Sequence, residues 1–150
     1  MIKYNLFLDD ERFPFVDETQ RKKLGKYASG YDYIDMVSTY NYTKFEPFKT
    51  EEWVIVRNYK EFVSYITEHG LPTLISFDHD LADVHYLSQK IINYEKFQEK
   101  TGYDCAKWLC DYCQEHNLKI PEYYIHSMNE VGKQNIYSYI ENYKKHVEND

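Results

Sequence analysis

No stretch of this chain approaches the roughly 20 consecutive apolar residues that span a bilayer. Charges run through residues 1–25 and no apolar leader follows them, so neither a membrane anchor nor a secretion signal is expected. Cysteine is scarce: Cys105, Cys110 and Cys113 are an odd, tightly spaced set, poor for disulfides and suited to a reducing cytoplasm. No linker of proline, glycine or serine divides the sequence, and 150 residues amount to a single domain over 1–150. Positive charge is also short, with 18 Lys and Arg against 25 Asp and Glu, a net charge of −7. That balance excludes the basic face that long DNA or RNA requires. A small phosphorylated ligand, held by a few cations or a metal, stays compatible with it.

What is present is enough to fold. Leu, Ile, Val and Phe supply 36 residues, above the level of disordered chains, and tyrosine adds 17 more aromatic side chains. Four short apolar runs read as buried strands because they are brief and rich in β-branched and aromatic residues. They are Tyr4 to Leu8, Trp53 to Val56, Thr73 to Phe77, and Tyr123 to Ile125. Between and after them lie three helical patterns. Over 59–69 the stripe is Tyr59, Phe62, Ile66 and His69, stopped by Gly70 and Pro72. Over 103–116 it is Ala106, Leu109, Cys113 and His116, with Cys105 and Cys110 alongside; over 132–147 it is Ile136, Ile140, Tyr143 and Val147. Strands alternating with helices predict a mostly parallel α/β sheet. Residues 13–52 and 82–100 keep no clear period and read as inserts.

In an open parallel sheet the ligand sits beyond the carboxyl ends of the strands, and all four runs end in residues with chemistry. Asp9, Asp10, Asp78 and Asp80 are hard oxygen donors suited to Mg²⁺ or Mn²⁺. His79 and His126 each follow an apolar strand and can exchange protons near neutral pH. Arg12 and Arg57 can fork onto phosphate oxygens, or pair with the local aspartates. Asn58, Ser127 and Asn129 add polar groups at the same edge, and Thr101 opens the second helix, where it reads equally as a phosphate contact or a cap. Cys110-x-x-Cys113 with His116 has the look of a zinc site, yet the spacing fits a buried helix stripe better. His69, His85, His116 and His146 lie on helix faces or in loops and read as structural.

Several of these segments together resemble one family. Leu6 to Arg12 with Pro14, Val56 to Tyr59, Ile75 to Leu81, Thr101 to Asp104 before Trp108-Leu109, and His126 to Asn129 with Gly132 and Asn135-Ile136 look like the cyclic-phosphate-processing receiver-like domains of bacteria and their phages. The resemblance implies a receiver/flavodoxin-like three-layer α/β sandwich of about four strands, lacking the last receiver strand. It also implies a role in handling cyclic phosphates on nucleotides, cyclic dinucleotides or RNA ends. Asp9, Asp10 and Asp78 match the metal-binding and phosphoacceptor aspartates of ordinary receivers. The chain departs from those receivers in lacking the fifth strand with its lysine and in adding His79, Asp80 and His126.

Three functions follow as expectations. The first is a metal-dependent phosphodiesterase, with a cation on Asp9, Asp10, Asp78 and Asp80, and with catalysis by Asp78, His79 and His126. Arg12, Arg57, Asn58, Ser127, Asn129 and Thr101 would bind the phosphate. The second is a module that sequesters a cyclic nucleotide without cleaving it, for instance as a phage anti-defence protein. The third is a degenerate receiver phosphorylated on Asp78. Tyrosines within 27–48 offer a contact for a homodimer.

Overall fold

A computed structural model of the chain describes residues 3–10, 14, 52–81, 100–127 and 129–148. Arg12, His85, the tyrosines of 27–48 and most of both expected inserts lie outside the described residues. Four strands form one sheet: β1 (Asn5–Leu8), β2 (Val54–Val56), β3 (Leu74–Phe77) and β4 (Glu122–Ile125). All neighbours are parallel, in the order β2-β1-β3-β4. Each strand stands where an apolar run predicted it, shorter by a residue at the start or, for β4, longer by one.

Register makes the sheet's two faces explicit. Leu8 pairs with Val56 and Phe77, and Phe77 with Ile125, so these four side chains share the face that the helices cover. Three helices pack there: α1 (Tyr59–His69), α2 (Gly102–Glu115) and α3 (Glu130–Glu148). Phe62 and Ile66 of α1, Ala106, Leu109 and the three cysteines of α2, and Ile136 and Ile140 of α3 join one core. The opposite face carries Phe7, Ile55 and Ser76, all fully buried, so both faces of the sheet are shielded from water. That is why its strands read as continuous apolar runs and not as alternating ones.

Local chemistry sets the helix limits. The Asn58 side chain accepts from Glu61 N–H while Glu61 Oε1 accepts from Arg57 N–H, and Gly70 ends α1 at φ +86°. Thr101 and Asp104 close a capping box on α2. Asn129 Oδ1 accepts from Gly132 N–H at the start of α3. Three of the stripe positions differ from expectation: His69, His116 and Val147 are exposed, because each falls at a helix end beyond the sheet. The strand order is that of a doubly wound receiver/flavodoxin-like fold, and no fifth strand occurs among the described residues. None of the described helices is long and apolar enough to cross a membrane.

Candidate functional site

The sheet's register builds the site. One residue beyond the paired row Val56, Leu8, Phe77 and Ile125 stand Arg57, Asp9, Asp78 and His126, in that order across the edge. The ladder continues through this row: Asp9 N–H donates to Val56 O, Asp78 N–H to Leu8 O, and His126 N–H to Phe77 O, at 3.1, 3.0 and 2.9 Å. Because side chains alternate along a strand, this row points to the face of Phe7 and Ser76, away from the helices. Four residues far apart in sequence are thus brought to one edge. The middle of the row is the switch point, where the chain leaves β1 to one side for β2 and later returns on the other for β3.

Asp9, Asp78 and His126 form a buried cluster whose potential ligand atoms all lie within 4.8 Å of one another. His126 Nε2 is 3.0 Å from Asp9 Oδ2, and neither side chain is exposed at all. On its other side, His126 Nδ1 is 2.6 Å from Ser76 Oγ. The ring lies flat on Phe7, with centroids 4.5 Å apart and planes 5° from parallel. Arg57 is buried next to it and donates from Nη1 to the Asp9 carbonyl at 3.0 Å. Two carboxylates and one imidazole fit a divalent cation: donors on one ion with ligand distances of about 2.0–2.6 Å are separated by at most roughly 4–5 Å. Among the described residues this is the one cluster of three or more such donors.

A second group stands one residue further along. His79 Nδ1 is 2.9 Å from Asp80 Oδ1, and Asn129 Nδ2 donates to the same oxygen at 3.4 Å. The His79 side chain is 16% exposed and Asp80 65%. Since a carboxylate can only accept, the pair places the proton on His79 Nδ1 and leaves Nε2 basic. Two glycines hold this turn. A Cβ on Gly132 would stand 2.3 Å from His79 Cγ, and one on Gly102 would stand 1.8 Å from the Asp78 carbonyl oxygen. Gly102 N–H also donates to His79 O at 2.7 Å. A side chain at Gly102 would push α2 off the β3 turn, whereas one at Gly132 would displace the His79 ring.

The remaining expected site residues serve helix ends. Asn58, Thr101 and Asn129 are the caps of α1, α2 and α3, with their side-chain oxygens on backbone N–H groups. The first N–H groups of α2 go to His79 O and Thr101 Oγ1. Ser127 is buried and its Oγ accepts from Asn129 N–H at 3.0 Å. Asp10, half-buried, and Asp80 stand outside the three-residue cluster. The cysteines are free, buried thiols, and His116 is exposed, with its Nδ1 2.9 Å from Tyr112 O. Burial pushes the Cys113 thiol up to about 11 and Cys110 to about 12.

Sequence reasoning missed Ser76 and Phe7. Ser76 carried a signal, as a lone hydroxyl inside the apolar run Leu74 to Phe77 must find a partner once buried. Its nearest face-mate at the next strand end is His126.

A parallel sheet in this order, with an acidic strand-end cluster at the switch point, defines a receiver-like α/β domain. The model of the cyclic-phosphate processing receiver domain family matches residues 4–142, nearly the whole chain, and the protein belongs to that family. No curated protein and no solved structure matches it.

Proposed function

We propose that this domain is a divalent-metal-dependent phosphoesterase that opens a cyclic phosphate on a nucleotide, a cyclic dinucleotide or an RNA end. The observation that carries this is the buried Asp9, Asp78 and His126 cluster at the switch point of a cyclic-phosphate processing family member. Asp9 and Asp78 would hold Mg²⁺ or Mn²⁺. When bound, such an ion supplies Lewis-acid polarisation of the phosphoryl group and activates water for attack.

The chain's own residues would do the rest. Arg57, buried beside Asp9, brings a positive charge to the edge and favours an anionic ligand there. Water adds to phosphorus, one of the two sugar oxygen–phosphorus bonds of the ring breaks, and the departing oxygen takes a proton. His79 is the residue for that proton: partly exposed and oriented by Asp80 on Nδ1, it takes the proton lost by the attacking water on Nε2 and passes it to the departing oxygen. The product is a phosphomonoester beside a free hydroxyl. His126, sealed from solvent between Phe7, Ser76 and Asp9, suits fixing the cluster better than exchanging protons with a substrate.

The test is a chromatographic screen of the purified protein against cyclic mononucleotides, cyclic dinucleotides and RNA with a cyclic-phosphate end. Parallel reactions contain Mg²⁺, Mn²⁺ or a chelator. Conversion of one class to its phosphomonoester, abolished by chelator and by Asp78→Asn, supports the proposal. Tight binding with the ligand recovered intact in every condition would establish the sequestering role instead.

A further inference from the structure

On the metal-dependent reading given above, we infer that His126 is itself a ligand of the metal, through Nε2. The imidazole then makes the site select Mn²⁺-type ions over Mg²⁺.

Four observations carry this. Nε2 lies 3.0 Å from Asp9 Oδ2, and Asp9, Asp78 and His126 each offer a donor atom within 4.8 Å of the others, so an ion held by the two aspartates lies within reach of the ring. Asp9 and His126 are fully buried side chains and Asp78 is nearly so, so donors suited to a divalent ion are gathered out of water, with the buried Arg57 on the Asp9 carbonyl beside them. The ring cannot turn away, because Phe7 stacks on it and Ser76 holds Nδ1. A metal-bound histidine characteristically has its second nitrogen tied in this manner.

The hydroxyl of Ser76 has a particular use. A serine both donates and accepts, so it serves either tautomer of the ring. With Nε2–H donating to Asp9, Ser76 O–H donates to Nδ1. When the lone pair of Nε2 is needed for a cation, the proton resides on Nδ1 and Ser76 Oγ accepts it. A carboxylate in place of Ser76 would add a third negative charge to the buried cluster.

Selectivity follows from donor chemistry. Mg²⁺ favours an all-oxygen shell, whereas imidazole suits Mn²⁺ and the later divalent ions. A site with one nitrogen and two carboxylate donors therefore ranks Mn²⁺ above Mg²⁺.

The experiment is pulsed EPR on Mn²⁺ bound to the whole protein, with competition titrations of Mn²⁺ against Mg²⁺. We expect one directly coordinated ¹⁴N coupling in the wild-type protein, retained in His79→Ala and lost in His126→Gln. The wild type should prefer Mn²⁺ by at least about tenfold, and His126→Gln should lower that ratio below about threefold. Ser76→Ala should keep the coupling but weaken Mn²⁺ binding by roughly tenfold or more. Bound Mn²⁺ without a nitrogen coupling, or a coupling unchanged in His126→Gln, would overturn the ligand assignment while sparing the metal site. Because the wild-type and His79→Ala spectra together exclude the other nearby imidazole, the test survives a His126 variant that fails to fold. Failure of the wild type to bind any Mn²⁺ would overturn the metal-dependent function and this inference together.

Discussion

His126 Nε2 and Asp9 Oδ2 lie 3.0 Å apart, both side chains wholly buried, although 117 positions separate them in the sequence. Removing one partner of a buried ionic or hydrogen-bonded pair commonly costs more than the pair contributes, since the group left behind has lost a partner out of water. His126→Ala also empties the space beneath Phe7 and takes away the Nδ1 contact of Ser76. It should destabilise the domain by ~2–4 kcal/mol in urea unfolding. A loss under ~0.5 kcal/mol would mean that the pair contributes nothing to the fold.

His79 and His126 should separate cleanly under mutation. His79→Ala removes a partly exposed ring from a turn, so its melting temperature should shift by no more than a few degrees. Turnover should fall by roughly 10²–10⁴, the usual worth of a positioned acid or base. Asp80→Asn should retain the ring's placement and lose less activity. Turnover by His79→Ala equal to wild type would remove His79 from the mechanism.

The two glycines that hold the β3 turn should respond oppositely to alanine. At Gly102 the added Cβ meets backbone, the Asp78 carbonyl oxygen, at 1.8 Å. Backbone cannot step aside cheaply, so Gly102→Ala should cost at least ~2–3 kcal/mol of stability. At Gly132 the obstacle is the His79 ring at 2.3 Å, a side chain that can swing away. Gly132→Ala should therefore leave the melting temperature near wild type, aided by alanine's helix propensity, while turnover drops. Thermal melts and steady-state rates on the two variants check both halves.

Stability should fall on the alkaline side. Unfolded thiols lose their protons near the ordinary value of 9.0, whereas the folded Cys113 and Cys110 hold theirs to about 11 and about 12. Between those values the unfolded chain binds fewer protons than the folded one, so the free energy of unfolding decreases as pH rises. The stabilising contribution is whole below about pH 9 and is lost progressively toward pH 12. Burial raises Tyr59 and Tyr65 in the same direction. Urea midpoints should fall between pH 8 and pH 11; a flat profile would contradict the burial of these groups.

Much of this architecture was legible because buried strands and amphipathic helices leave plain patterns. Helix α1 was readable to the residue, from the Phe62 and Ile66 stripe and the stop at Gly70. The gathering of Asp9, Arg57, Asp78 and His126 was readable as well, since parallel strands present their carboxyl ends together. What the sequence blurred was the difference between a ligand and a cap. Asn58, Thr101 and Asn129 have the polarity of phosphate contacts, but an oxygen-bearing side chain just before a helix is also what the first N–H groups need. The depth of His126 was blurred too: it depends on Ser76 and Phe7, which lie on other strands and meet it only through the register. Asp80 reads as a hard oxygen donor at the same strand end, and the contacts that place its Oδ1 beside His79 and Asn129 come from the β3 turn and the start of α3.

A cation at the cluster should stabilise the fold by mass action. At 100 times its dissociation constant a ligand of the folded state adds ~2.7 kcal/mol, which for a domain of this size raises the melting temperature by roughly 5–10 °C. Asp78→Asn should abolish that increment, and chelator should reverse it in the wild type. A melting temperature indifferent to Mn²⁺ would mean that the cluster holds none.

The most direct measurement is hydrolysis of the cyclic-phosphate substrate in H₂¹⁸O with Mn²⁺, followed by mass spectrometry of the product. Opening of the ring by water predicts a phosphomonoester with one solvent oxygen on phosphorus, formed by the wild type and not by Asp78→Asn. Substrate recovered unlabelled and intact would contradict phosphoesterase function.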